Sequence, residues 1–576
     1  MRVSRAVPLR FAKLAPLALA LSFSTALAPA AQADSGLGPY LATRLADYQS
    51  DFEATLEYGT RAIAEDPENA GILEGVTIAQ LVLHPLEDAA PYARRLEALT
   101  PENRVARLVL LGEALGQENW EGALELLEQG VSVGPLMTDM LSAWAELGRG
   151  RMSQALSIYD ELAKDEESKG FALFQKALAT AHVGDFETAA GLLADQLAEF
   201  RLNRRGVIAY AQILSQLERF DEAIALIEEA TGGMPDEEMT ALIDKLKAQE
   251  PLPFTAITSA RDGAAELFYM IAENLSIDTG HSTVLIYSRI AEHLAPQMHA
   301  ATLLTAQLHE ELRQYDLAVA AYARIPQDSE IYLQAALGRA IALNNSDRRD
   351  EAIGELRALS AQYPDRARIP TLLGEFLSRQ DRFAEARDAF DHAVSLFQGE
   401  VETQWRVYFQ RAIVLTKLDD WPAAEADFRK ALELSPEQPN VLNYLGYSLV
   451  ERREKLDEAL DMIERAVAAR PDSGYITDSL GWVYYRLGRY DEAVEQMERA
   501  VELLPIDPIL NDHLGDTYWA VGRKREAEFQ WKRSLSFVVD DTDLEELNPD
   551  RIRRKLEVGL DQVLEEEGAE PLHGAE

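Results

Sequence analysis

Apolar side chains recur along almost the whole chain at three- and four-residue steps, the spacing that gathers them on one face of a helix. Within that rhythm a small residue returns at a fixed, longer interval. Ala493 is preceded by Leu480, Gly481, Tyr484, Gly488 and Tyr490, and followed by Met497, Ala500 and Pro505. Stepping back from it, mostly by 34 residues, lands on Ala459, Ala424, Ala386, Ala352 and Ala318, then Val284 as a poorer match. Further steps reach Ala223, Ala189, Ala155, Ala123, Ala89 and Thr55, and one forward step reaches Ala527. Each interval suits two antiparallel helices. Small residues let the pair approach closely, larger ones fill the space between pairs, and a proline ends the second helix because it lacks an N–H for the ladder. Prolines stand where that count wants them, among them Pro67, Pro101, Pro135, Pro436, Pro471 and Pro505.

About fourteen such units fit the chain, and their signature positions resemble those of the tetratricopeptide repeat (TPR) superfamily. The resemblance implies an all-α fold, a TPR α-solenoid in which helix-turn-helix repeats wind into a right-handed superhelix. Departures from the 34-residue step locate its irregularities. The step is 35 from Ala424 to Ala459, 38 from Ala386 to Ala424, and 61 from Ala223 to Val284. In the last gap a helix over Asp236–Gln249 runs into Pro251-Leu-Pro253-Phe254, which cannot continue it. The predicted organisation is an N-terminal array over 34–249 with six repeats, a hinge or linker at 250–262, and a C-terminal array over 263–540 with eight. A kink inside one continuous superhelix is the alternative. Residues 541–567 form a capping helix with Ile552, Leu556, Leu560, Val563 and Leu564 on one face, and 568–576 form a disordered tail.

The first 33 residues read as a secretory signal. Arg2, Arg5, Arg10 and Lys13 precede an apolar stretch from Leu14 to Leu27, and Ala31-Gln32-Ala33 supplies a small-x-small cleavage site. The apolar run is too short and too interrupted to span a bilayer. Cysteine is absent, so disulfides, thiolate metal sites and a lipid-modified N-terminal cysteine are all excluded. The expected location is the periplasm, reached through a cleaved signal, with no lipid anchor and no membrane span in the mature chain. The net charge of −42 repels phosphate backbones and argues against nucleic acid as a partner. It serves either to keep a long solenoid soluble or to steer a basic partner.

A solenoid of this kind has a concave surface lined by the first helix of each repeat. Packing does not require aromatic residues there, so surplus rings mark a candidate protein-binding groove. In the three best-formed repeats the groove positions carry Asn440, Asn443, Tyr444 and Tyr447, then Tyr475, Asp478, Trp482, Tyr485 and Arg486, then Asp512, His513, Asp516 and Trp519. Some of these could instead pack on neighbouring helices or on a folded-back segment. Tyr484, Tyr490, Tyr518 and Trp531 fall on packing positions. A groove that captures a free C-terminal carboxylate needs Lys and Asn at the places held here by Asn443 and Tyr447, Asp478 and Trp482, and Asp512 and Asp516, so that mode is absent. Phosphate-binding loops, dinucleotide fingerprints and zinc-protease motifs are also absent. Catalysis, cofactors and metals are therefore not expected.

Four stretches resemble envelope TPR proteins of Gram-negative bacteria: Leu442-Asn-Tyr-Leu-Gly-Tyr447, Asp457-Glu-Ala-Leu, Asp478-Ser-Leu-Gly-Trp482-Val-Tyr-Tyr-Arg-Leu-Gly488 and His513-Leu-Gly-Asp516-Thr-Tyr-Trp519. That group includes outer-membrane lipoprotein adaptors that activate a carboxyl-terminal processing protease and deliver substrates to it. The resemblance implies a scaffold or adaptor whose partners are proteins or peptides, a periplasmic protease and its substrates among them. The missing lipobox cysteine departs from those adaptors. A structural component of an envelope assembly or export machine is the alternative, and an enzyme with an unrecognised carboxylate site the minor one.

Overall fold

The computed structural model describes residues 37–129, 134–194, 203–233, 237–275, 281–539, 547–569 and 572. The expected leader and most of the expected tail lie outside them. Among the described residues the only regular structure is helical, thirty-one α-helices and one 3-10 turn at Glu402–Gln404. Most follow one another as antiparallel pairs.

Local chemistry explains the pairing. Asn69, Asn103 and Asn203 each stand before a first helix and accept a backbone N–H through Oδ1, at 3.2, 3.0 and 2.8 Å. Between the two helices of most pairs, a residue with positive φ turns the chain two places before the second helix begins. Gly184 and Gly488 do this at φ 87° and 74°, and Glu118, Glu218 and Asp419 take the same left-handed geometry. The small residue of each repeat is shut inside its pair: Thr55, Ala89, Ala223, Ala318, Ala424, Ala493 and Ala527 are all buried.

The chain forms two compact units, one ending at Glu355 and one starting at Leu356. In the first, six helix pairs run from Leu37–Tyr48 to Phe220–Ala230, followed by helix Glu237–Lys247. Helices Ala260–Leu275 and His281–Leu294 then leave the stacking direction and pack on the first helices of earlier pairs. Ala260–Leu275 lies on Arg104–Gly116, Pro135–Gly148 and Lys169–His182, while His281–Leu294 lies on Ala70–Leu83 and Arg104–Gly116. The concave side of the first array is thus filled by the chain's own hairpin. Gly263 permits the approach, because a Cβ there would stand 2.3 Å from the ring of Trp144. Arg205 clamps Glu266 at 2.7 Å, Asn203 donates to Glu273 at 2.5 Å, and Arg289 donates to the Leu81 carbonyl at 3.0 Å. One apolar core runs from Phe52 to Leu308 and includes both hairpin helices.

This bears on the expected hinge at 250–262. Leu252 donates its N–H to Ser215 Oγ at 2.7 Å and accepts from Gln216 Nε2 at 2.5 Å, while the Thr255 N–H reaches Gln212 Oε1 at 3.0 Å. Phe254 packs edge-on against Phe186 with centroids 5.9 Å apart, and Leu252 and Ile257 are buried. The segment is strapped to helix Arg204–Gln216, and the compact units part at 355/356 rather than there.

In the second unit, helix pairs continue through Pro508–Ala520 and Lys524–Ser536. The expected single capping helix is broken into Pro549–Val558 and Leu560–Glu566 by Gly559, at φ 87°. A side chain at 559 would meet the Trp519 ring at 2.5 Å, so the break and the contact share one cause. Ile552, Leu560 and Val563 are buried there as expected, but Lys555 faces inward and Leu556 is only half-buried.

Candidate protein-binding groove

The groove residues lie on three successive first helices of the second unit, Pro439–Glu451, Gly474–Arg486 and Pro508–Ala520. Their fates differ along the array. Asn440 and Arg486 are exposed, and Asn443 is buried. Tyr444 sits edge-on to Phe409 at 5.3 Å and stacks on Phe428 at 6.3 Å, which commits its ring to core packing. Tyr447 is half-buried against the same cluster. For Tyr444 the alternative of packing on neighbouring helices therefore describes the structure.

The next two helices bring their residues together. Trp482 is sandwiched between Tyr485 and His513, with centroids 4.9 and 4.2 Å away and ring planes within 12° and 20°. Its indole N–H donates to Glu451 Oε1 at 3.0 Å, which ties it to the preceding repeat. His513 Nδ1 lies 3.0 Å from Asp478, a buried carboxylate. Burial pulls the imidazole down, yet the charge of Asp478, its hydrogen bond, and the charges of Asp512 and Asp516 together raise it to about 9. An imidazolium is therefore stacked on the indole face, an arrangement favoured by the ring quadrupole. Burial likewise drives the Tyr485 phenol well above its usual range. Tyr475 donates to Asp507 at 3.0 Å, and Asp507 in turn caps helix Pro508–Ala520.

At the end of the array the groove is occupied. Lys555, from helix Pro549–Val558, places Nζ 2.8 Å from Asp512 and 2.6 Å from Asp516 with its side chain fully shielded. Trp531 donates to Asp516 at 2.9 Å and offers its ring to the same ammonium, 5.6 Å from the centroid. Trp519 donates to Asp561 at 2.9 Å and carries Lys524 over its face. The Tyr490 hydroxyl donates to the Leu572 carbonyl at 2.5 Å. Sequence reasoning thus placed Asp512, Asp516 and Trp519 in one region but missed their occupant. Lys555 stands one residue from the apolar stripe, and only the carboxylate pair opposite could have singled it out.

Among the described residues no cluster of His, Asp and Glu has the arrangement of a metal site, and no helix is long and apolar enough to cross a membrane. Family profiles described as tetratricopeptide repeats match residues 365–437, 437–505 and 478–535. A TPR repeat-containing protein of Pseudomonas aeruginosa is 26% identical over 58% of this chain and 57% of its own length. Tetratricopeptide repeat protein 13 of Homo sapiens is 28% identical over 30% of this chain and 20% of its own. The chain therefore spans less than two thirds of either relative. Among solved structures, the APC/C hetero-tetramer Cut9–Hcn1 aligns over 81% of this chain and 98% of the other, at 15% identity and a TM-score of 0.38. Yeast Tom70 aligns over 81% and 99%, at 14% identity and a TM-score of 0.34.

Proposed function

We propose that this tetratricopeptide repeat protein is an exported scaffold that holds other proteins in the envelope of a Gram-negative bacterium and presents substrates to a periplasmic protease. The observation that carries the reading is the ring stack Tyr485–Trp482–His513, flanked by Asp478 and Glu451 on groove positions of successive repeats. The half-exposed edges of these rings offer apolar contact area to a polypeptide. Repeat profiles covering these residues support a protein-binding role, since TPR proteins bind other proteins. Export and the protease rest on the leader and on the resemblance of 442–519 to envelope adaptors.

The test is affinity capture from envelope extract with the wild type and a Tyr447→Ala/Trp482→Ala variant whose fold is verified by circular dichroism. Loss of specific partners from the variant supports the groove. Identical partner sets sink it. Fractionation of cells producing the full chain tests the location, and recovery in the cytoplasm overturns it.

A second reading, a fixed component of an envelope assembly, draws on helix Leu37–Tyr48. Leu37, Leu41, Leu45 and Tyr48 are exposed there at 59, 56, 58 and 89%, a stripe that a permanent neighbour would cover. It predicts stable co-fractionation with membranes that Leu41→Ser/Leu45→Ser abolishes.

A further inference from the structure

A helix that only closes a repeat array needs an apolar face, and Pro549–Val558 supplies one through Ile552. Its second inward residue is different. Lys555 is fully shielded, hydrogen-bonded to both carboxylates of an acidic pair one helical turn apart, and its ammonium faces the Trp531 ring. Removing an ammonium and two carboxylates from water costs about as much as their attraction returns, so a buried pair of this kind adds little stability over a leucine. What it adds is selectivity for one cation at one position. The carboxylates are also not arbitrary: Asp512 stands at the groove position that Asp478 holds one repeat earlier, and Asp478 is likewise met by a cation, His513. Successive groove carboxylates each engage a positive side chain. The first is engaged from within the repeats and the last by the terminal helix.

That helix is also tied to the one after it. Arg551 pairs with Glu567 at 2.7 Å and Arg554 with Glu566 at 2.7 Å, which bind the two terminal helices to each other through exposed contacts. Arg551 further approaches Asp516 at 3.6 Å, so the groove meets a basic pair, Arg551 and Lys555, one helical turn apart. We infer that the last repeat is a docking site for a partner's amphipathic helix carrying basic residues four apart, and that Pro549–Val558 holds that site in cis until such a helix displaces it. The net charge of −42 favours approach of a basic partner over an acidic one. The inference deepens the scaffold reading above and rests on it only for the partner being a protein.

The probe is a fluorescent peptide with the sequence of residues 547–569, added to the full chain and followed by anisotropy. The wild type, with its site filled, binds weakly. Lys555→Glu, which sets a third carboxylate against Asp512 and Asp516, binds at least tenfold more tightly, and adding Asp512→Asn/Asp516→Asn removes that gain. A peptide with its own lysine changed to glutamate fails to bind. Because Lys555→Glu can disturb the last repeat, hydrogen exchange of the wild type gives an independent reading. Saturating peptide speeds exchange across 549–558, and the glutamate peptide does not. No gain in affinity together with no change in exchange overturns the proposal, as does a swapped dimer in which a second copy supplies the helix. If peptide binding fails while partner capture still depends on Trp482, the slot is wrong and the groove stands. If peptide binds while capture ignores Trp482, the reverse holds.

Discussion

One oxygen of Asp516 serves two partners: Oδ1 accepts from Lys555 Nζ at 2.6 Å and from the Trp531 indole at 2.9 Å. The carboxylate joins the first helix of the last repeat, the second helix of the same repeat and the terminal helix in a single buried contact. Removing it strands an indole N–H and weakens the hold on a buried ammonium.

Asp516→Ala should therefore destabilise the last repeat by about 1–3 kcal/mol, the cost of a stranded buried donor, because Asp512 still holds the Lys555 ammonium. Adding Lys555→Met together with Asp512→Asn should recover part of that loss, because neither the ammonium nor the second carboxylate is then left buried without a partner. Hydrogen exchange across 508–536 reads both effects. Equal exchange in Asp516→Ala and wild type would refute the role assigned to the shared oxygen.

The His513–Asp478 pair makes a pH prediction. The folded value of about 9 lies above the usual histidine value of 6.5, so the stabilisation is fully present below pH 6.5 and is lost as pH rises towards 9. Its size is roughly 3 kcal/mol at 1.36 kcal/mol per unit. Urea unfolding of the wild type should weaken across that window, and Asp478→Asn should flatten the dependence. An NMR titration of His513 with a midpoint near 6.5 contradicts it.

Gly263 gauges how closely the inner hairpin sits. A methyl group there meets the Trp144 ring, and forcing it into a packed site typically costs about 1–3 kcal/mol. Gly263→Val should lower the melting temperature of the first unit and alter Trp144 fluorescence. Unchanged melting would mean that the hairpin docks less closely than described.

The strap at 252–255 predicts protection from proteases. Gln212→Ala/Ser215→Ala leaves the Leu252 and Thr255 N–H groups without their acceptors, at about 1–3 kcal/mol for each. Cleavage between 250 and 258 should accelerate in the variant while helix content holds. Wild-type rates in the variant would show that the prolines alone secure the segment.

Much of the fold was legible because repeat packing is local. Ala493 and its counterparts down to Thr55 face a partner helix inside their own unit, so one chain interval is enough to find them. What escaped was non-local. Nothing in the spacing says that Ala260–Leu275 turns inward, although its near-continuous burial, from Ala260 to Met270, matches a sequence with small and apolar residues on most faces. At the groove, position counting placed Asp478, Trp482 and His513 together, but it could not tell Tyr444, held by Phe409 and Phe428, from a free ring. Lys555 was passed over because lysine is ordinarily solvated, and only a carboxylate pair on a distant helix inverts that expectation.

Ser50 and Ser282 share a hydrogen bond of 2.7 Å across 232 residues, and Gln314 donates to the Ser50 carbonyl across 264. An ordinary solenoid has only nearest-neighbour couplings and frays from its ends one repeat at a time. Here the inner hairpin cross-links repeats that such an array would leave independent. The first unit should consequently melt as one cooperative block, and it should fold slowly for a helical protein, because closing so long a loop precedes the contacts that reward it. A chain emerging from its N-terminus holds six stacked pairs with an open inner face until residues near 294 arrive.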